Sequence, residues 1–223
     1  MDGGAQLGIF HIRWERIVCL EGEAPERLRA DGSVHTPLDE ASVRNAIAAA
    51  KARGAEGIVI SFLHGFRNAA HEAEAAKIVR ETTPELFVFT SAEIWPVIRE
   101  YERTTTAIIN GYVHPRVSDY LDKLQEALPK IGVSAEPLIT KSNGGVMSAE
   151  LGKTSCVNMV LSGTASGVIG GAFVSRTCSV DNAITLDIGG TSADVAVVIG
   201  GEFTATTKPA RADLILEIAL ASQ

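Results

Sequence analysis

Apolar and polar positions alternate with different periods along the chain, and the period predicts the elements. Val43, Ala46, Ile47 and Ala50 recur at helical spacing after the polar, turn-forming stretch 27–40, and Gly54 closes that helix. The run "EGIVISFL" is continuously apolar, as expected of a strand covered on both faces. A second helix over residues 70–81 and a short strand in "ELFVFTS" follow. From Arg103 a helical pattern runs to Leu128, with Tyr120, Leu121, Leu124 and Leu128 as a core-facing stripe. Pro115 lies inside it and predicts a kink, or a second helix starting near His114.

After Gly132 the pattern changes. "EPLITKSNGGVMS", "NMVLSGTASGVIGGAF" and "AITLDIGGTSADVAVVIGGEF" each set a polar, glycine-bearing turn beside an apolar run. A domain boundary near residue 130 follows, giving 1–130 and 131–223. Val157 to Val174 carries no charge, but its Asn158, Ser162, Thr164 and Ser166 and its glycines argue against a lipid-spanning helix. A buried strand, a glycine loop and a buried helix account for it instead.

Composition narrows the function classes. The chain has 223 residues, 46% of them hydrophobic and 21% charged, the balance of a globular protein. Its net charge of −7 argues against a nucleic-acid partner, which needs a basic footprint. Cys19, Cys156 and Cys178 are far apart and form no C-x-x-C pair, so a reducing cytoplasm is the simplest setting. The N-terminus lacks the basic start and apolar run of a signal peptide. His64, His71 and His114 show no metal-binding spacing and read as surface or turn residues.

The glycine turns carry the candidate chemistry. In "ITLDIGGTSADVAVV", Gly189 and Gly190 let backbone N–H groups approach an anion, and Thr191 adds a hydroxyl. Asp187 is placed to hold Mg²⁺ directly or through water. A strand follows rather than a helix, so the stretch is neither a Rossmann fingerprint nor a Walker loop. A plain β-hairpin is the alternative. Ser162 and Gly163 suggest a loop entering a helix whose free N–H groups bind anions, or close helix-to-sheet packing through small residues. Asn143-Gly144 is a strong turn signal, and with Gly145 it is a weaker ligand candidate.

In order along the chain, "ERLRADGSVHTPLDE", "SFLHGFRNAAHE", "REYERTTTAIINGYVHP", "SNGGVMS", "LSGTASGVIGGA" and "LDIGGTSADVAVV" resemble the hydantoinase A / 5-oxoprolinase family, over roughly residues 25–208. The resemblance implies an α/β chain: an αβ N-terminal portion, then part of an actin-like (RNase H-type) ATPase lobe. It implies ATP and Mg²⁺ as cofactors, and ATP-dependent opening of a small cyclic amide such as a hydantoin or 5-oxoproline through phosphoryl activation. A second hydantoinase-type subunit or domain is the implied partner. Asp187, Gly189, Gly190 and Thr191 resemble the second phosphate motif of that fold, and Asp187 is the catalytic candidate. Asp194 matches its closing aspartate, which touches metal or caps the turn. Ser162 and Gly163 match an S-G-P stretch, with Thr164 where proline is usual, and Asn143, Gly144 and Gly145 match an S-N-G-G turn. Glu102 and Arg103 bind substrate or, preferably, form an internal ion pair.

The family is much longer than this chain, and its first phosphate loop and adenosine-contacting segment are not found here. The first twenty residues and the tail "RADLILEIALASQ" do not resemble family sequence. The expectation is a middle portion of such an enzyme, inactive alone. The alternatives are a subunit of an ATP-dependent ketone carboxylase and a non-catalytic binding module.

Overall fold

The computed structural model describes residues 8–13, 16–18, 24–189 and 193–203. The chain is mixed α/β and divides into two compact units, Met1–Val117 and Ser118–Gln223. The division falls within a long helix, thirteen residues before the sequence-based boundary.

In the first unit, strands β1 (Gly8–Arg13) and β2 (Arg16–Val18) precede a small hairpin of β3 (Arg27–Leu28) and β4 (Val34–Thr36). Helix α1 (Glu40–Ala52) starts where Asp39 accepts hydrogen bonds from Ala41 N and Ser42 Oγ. It stops at Gly54, whose φ of 78° is left-handed. Strand β5 (Gly57–Ser61), helix α2 (Ala70–Thr82), strand β6 (Phe87–Thr90) and the short helix α3 (Ser91–Ile94) complete the set before α4 (Glu100–Lys130). The sheet order is β2-β1-β5-β6, with β5 parallel to β6 and antiparallel to β1. Residues 8–13 and 16–18, which did not resemble family sequence, thus supply two strands of this sheet.

Every residue of β5 is buried, as its unbroken apolar run requires. Ile58 and Ile60 pack with Val43, Ile47, Ala75 and Val79 of α1 and α2. Val59 faces the other way, with Phe89 and Ala107 of α4. The sheet is therefore covered on both sides.

Helix α4 passes through Pro115 unbroken, with no second helix starting at His114. The proline removes one donor, a cost of about 3 kcal/mol that the remaining turns of a long helix carry. Of the apolar stripe, Leu121 is fully buried and Leu124 and Leu128 half-buried, whereas Tyr120 is 59% exposed.

The second unit continues with a hairpin of β7 (Leu138–Thr140) and β8 (Val146–Ser148) and helix α5 (Ala149–Thr154). A 3-10 turn (Cys156–Met159) stands where a strand was expected. Helix α6 (Ser162–Thr177) then packs on β9 (Asn182–Ile188), β10 (Ala193–Ile199) and β11 (Glu202–Phe203), in the order β11-β10-β9. The glycines of "SGTASGVIGG" lie inside α6 rather than in a loop before it. The helix is only partly buried. No helix among the described residues is long and apolar enough to cross a membrane.

Candidate functional site

The β9–β10 register pairs Asp187 directly with Asp194. Residues opposite one another project to the same face, here shared with the pairs Thr185–Ala196 and Ala183–Val198. Helix α6 covers this face, since a Cβ on Gly171 would strike the Thr185 side chain. At the start of α6, Thr164 Oγ1 donates to Asp194 Oδ2 at 3.2 Å. The structure thereby brings the Ser162-Gly163 stretch against the aspartate hairpin.

The helix start is left open by its own sequence. Leu161 occupies the cap position with φ 61°, a left-handed conformation uncommon for a residue with a branched side chain, and makes no side-chain capping bond. The first-turn N–H groups at Ser162, Gly163 and Thr164 therefore lack a capping side chain, and they sit at the positive end of the helix dipole. A Cβ at Gly163 or Gly167 would meet nothing within 4 Å among the described residues, so close packing does not explain these two glycines. Gly171 is the one that packing explains.

Like charges placed directly across a ladder repel, so the Asp187–Asp194 pair favours a cation or a donor between them. Asp187 is exposed and Asp194 half-buried. Two carboxylates and a hydroxyl are hard oxygen donors, the chemistry that suits Mg²⁺. Among the described residues no three His, Cys, Asp or Glu side chains gather as for a closed metal site. A Mg²⁺ here would therefore keep water and phosphate oxygens as its other ligands. Gly189 lies exposed at the end of β9, and Gly190 and Thr191 lie outside the described residues.

The Asn143-Gly144-Gly145 turn reaches a different part of α6. Ser142 N and Oγ bond Asn158 O at 2.7 and 2.8 Å, and the hydroxyl also lies 2.6 Å from Val160 O, which ties the turn to the segment entering α6. Gly144, with φ 82°, packs on Ile169, where a Cβ would come within 2.5 Å of Cδ1. Ile169 lies about 10 Å along the helix from Ser162. Asn143 Oδ1 is already engaged by Gly145 N at 3.0 Å. The turn positions α6, whereas the Ser162 end and Asp194 meet directly.

Glu102 and Arg103 do not pair with each other. Glu102 Oε1 lies 3.4 Å from Arg99 Nη1, and Arg103 Nη1 lies 3.7 Å from Glu100. Arg103 is completely buried in the first unit, donating to Ser91 Oγ, Val97 O and Phe62 O. Glu72 accepts from Phe62 N, Ala92 N and the same Ser91 hydroxyl. Burial pushes the Glu72 carboxyl above its usual value, against these donors and the nearby Arg103 charge. His71 is likewise buried on α2 rather than at the surface, its Nδ1 2.7 Å from Glu26 Oε2. His114 sits edge-on to Phe87 and Phe89. Cys156 is buried, which pushes its thiol up to about 12 and leaves it unreactive at neutral pH.

These features define a mixed α/β protein whose second unit presents oxygen donors beside an uncapped helix start. The chain belongs to the hydantoinase/oxoprolinase family: the family profile matches residues 103–220, and the profile of the hydantoinase/oxoprolinase N-terminal region matches residues 8–83. Both matches reach further toward the termini than the motifs suggested. Caprolactamase subunit alpha of Pseudomonas jessenii is 35% identical over 78% of this chain and 25% of its own length. The acetone carboxylase beta subunit of Xanthobacter autotrophicus is 35% identical over 87% of this chain and 28% of its own. A nucleotide-free structure of acetone carboxylase, described with the mechanism of ATP-dependent acetone carboxylation, superposes with a TM-score of 0.73 at 33% identity, over 81% of this chain and 26% of that one. The chain thus spans about a quarter of the length of these relatives, two of which are named as subunits.

Sequence reasoning noted Thr164 only as a polar residue of the uncharged run and as a departure from proline, and passed over Leu161. Neither residue type signals its role. Thr164 acquires its part from a cross-element contact, and Leu161 from a backbone angle.

Proposed function

We propose that the chain is part of a subunit of an ATP-dependent enzyme that activates a carbonyl group by phosphoryl transfer, and that its second unit is a piece of an actin-like, RNase H-type lobe holding the nucleotide's phosphates. The observation that carries this reading is the Asp187–Asp194 pair set against the open N-terminus of α6 through Thr164. Phosphoryl transfer leaves the protein mainly positioning and charge stabilisation to do, and N–H groups with a carboxylate-held cation supply both. Asp187 and Asp194 hold Mg²⁺, which when bound neutralises phosphate charge. The N–H groups of Ser162, Gly163 and Thr164 orient phosphate oxygens, with Gly189, Gly190 and Thr191 on the hairpin side.

The substrate class is a small ketone or a lactam. The ketone reading, with the chain belonging to a carboxylase subunit, is supported by the similarity to acetone carboxylase in sequence and in structure. The lactam reading is supported by the similarity to caprolactamase, and it broadens the ring beyond a hydantoin or 5-oxoproline. The test is ATP turnover by the full-length, assembled enzyme, given acetone with bicarbonate in one arm and caprolactam in the other. Stimulation by one arm assigns the class. An Asp187→Ala variant that kept full stimulated turnover would remove the hairpin from phosphate handling.

A further inference from the structure

The first unit carries a concave site that the phosphate reading does not use. The β3–β4 hairpin and the turn after Phe62 border an open depression of about 270 Å³ lined by Arg27, Leu28, Arg29, Ala30, His35 and His64. We propose that this depression binds a small oxyanion, a phosphate or carboxylate group on a compact molecule, independently of the site on the second unit.

The walls are held in place by their own bonds. Asn68 Nδ2 donates to Gly32 O at 2.9 Å, joining the hairpin tip to the turn, and Arg29 N donates to Ser33 O within the hairpin. Two arginines and two histidines then line one hollow on a chain whose net charge is −7. A local concentration of donors against the overall charge is a mark of anion recognition.

Arg27 points to the missing acceptor. Its Nη1 is buried and has no hydrogen-bond partner among the described residues. A buried donor left unpaired is costly, and a turn of the Arg27 side chain toward an oxyanion in the depression would relieve it. Guanidinium groups present planar, paired donors that match carboxylate and phosphate oxygens. His64 adds a strained backbone. Its φ of 61° is left-handed, a state that costs about 1 kcal/mol or more and clusters at binding and catalytic positions. The ring lies edge-on to Phe66 at 6.4 Å.

Most oxygens of the neighbouring acids are committed elsewhere, although Glu26 Oε1 is itself buried and without a partner among the described residues. Asp31, at the hairpin tip, accepts from Ser33 Oγ at 2.7 Å and Ser33 N at 2.9 Å, and these bonds, with a smaller part from the nearby Arg29 charge, hold its carboxyl below the usual range. Glu26 engages His71, and Glu72 engages Phe62 N, Ser91 and Ala92. The volume lies just under the usual range for ligand pockets of 300–1,000 Å³, which suits a small metabolite better than a nucleotide.

The test follows the ring resonances of His35 and His64 in the intact chain during titration with inorganic phosphate and, separately, with propionate, at constant ionic strength. Saturable movement of the His64 resonances is expected with at least one anion, and the tighter of the two assigns phosphate or carboxylate. Arg29→Gln, at an exposed position that folding does not depend on, should weaken binding roughly tenfold, as loss of a charge-assisted hydrogen bond does. His64→Asn keeps a side chain that tolerates the left-handed backbone and should weaken it severalfold. Arg44→Gln, which touches only the exposed pair with Glu40, should leave it unchanged. No saturable movement with either anion, or equal affinity in Arg29→Gln, would overturn the proposal. Neither result bears on the aspartate hairpin, whose own test is separate.

Discussion

The two units handle their sheets in opposite ways. In the first, β5 is apolar at nearly every position and buried at all of them, with helices on both faces. In the second, α6 covers the face bearing Thr185, Asp187, Asp194 and Ala196, and no element among the described residues covers the more apolar face. Ile184, Leu186, Ile188, Val195, Val197 and Ile199 are all between 54% and 71% exposed. An alternating strand usually turns its apolar side to the core, so this sheet is inverted relative to expectation. Contiguous exposed apolar faces of this kind are uncommon on isolated soluble proteins. The first unit is organised by its core, whereas the second turns its aspartate-bearing face toward a helix and its more apolar face outward.

The largest effect that would break this contrast lies in the first unit. Arg103→Met should destabilise it by about 3–5 kcal/mol in urea unfolding, because Glu72 is left buried beside a lost charge and the carbonyls of Phe62 and Val97 lose their donor. Next, Ile60→Ala should cost about 2–5 kcal/mol, whereas Leu186→Ala should change stability by no more than about 0.5 kcal/mol. Similar costs for the two would mean that the open face is covered in solution. Replacing Leu186 and Val195 by lysine should then reduce binding of a hydrophobic dye and self-association while leaving the unfolding midpoint nearly unchanged.

A smaller effect concerns α6. Gly167→Ala should stabilise the helix by up to about 1 kcal/mol, since the position opens onto free space among the described residues. The same change at Gly163 should also lower phosphate affinity, and the difference separates a binding glycine from one that only faces open space.

The last prediction is pH-dependent. The folded Glu72 carboxyl is raised above its usual 4.5, chiefly by burial, so its protonation contributes stability that is fully present below 4.5. That contribution is lost as pH rises through the folded value. The stability difference between wild type and Glu72→Gln should therefore move against wild type over that window, measured by urea unfolding at a series of pH values.

Much of the first unit is legible in the sequence because its signals are local. Helical spacing and Gly54 place α1, and the unbroken run from Gly57 places β5 between two layers. Strands β1 and β2 are not legible, since β1 joins the sheet through pairing with β5 and β2 through pairing with β1, which no local pattern announces. Pro115 reads as a break, but a long helix tolerates the loss of one bond. The run before Ser162 reads as a strand from its apolar content, yet such short runs do not distinguish strand from helical turn. At the site, Asp187, Asp194, Ser162 and Gly163 are identifiable from turn chemistry and the ordered motifs. Their meeting is not, because it depends on the register of β9 with β10 and on the face α6 covers. The basic depression went unread for a similar reason: Arg27, Arg29, His35 and His64 meet only when the hairpin folds against a distant turn.

The central claim is that the start of α6 and the aspartate hairpin together hold phosphate. Amide resonances of the chain should be followed during titration with Mg-ATP, beside an Asp187→Ala variant of the same fold. The account predicts saturable shifts concentrated at Ser162, Gly163, Thr164 and Asp194 that depend on Mg²⁺ and vanish in the variant. Shifts confined to other residues, or the same shifts in Asp187→Ala, would contradict it.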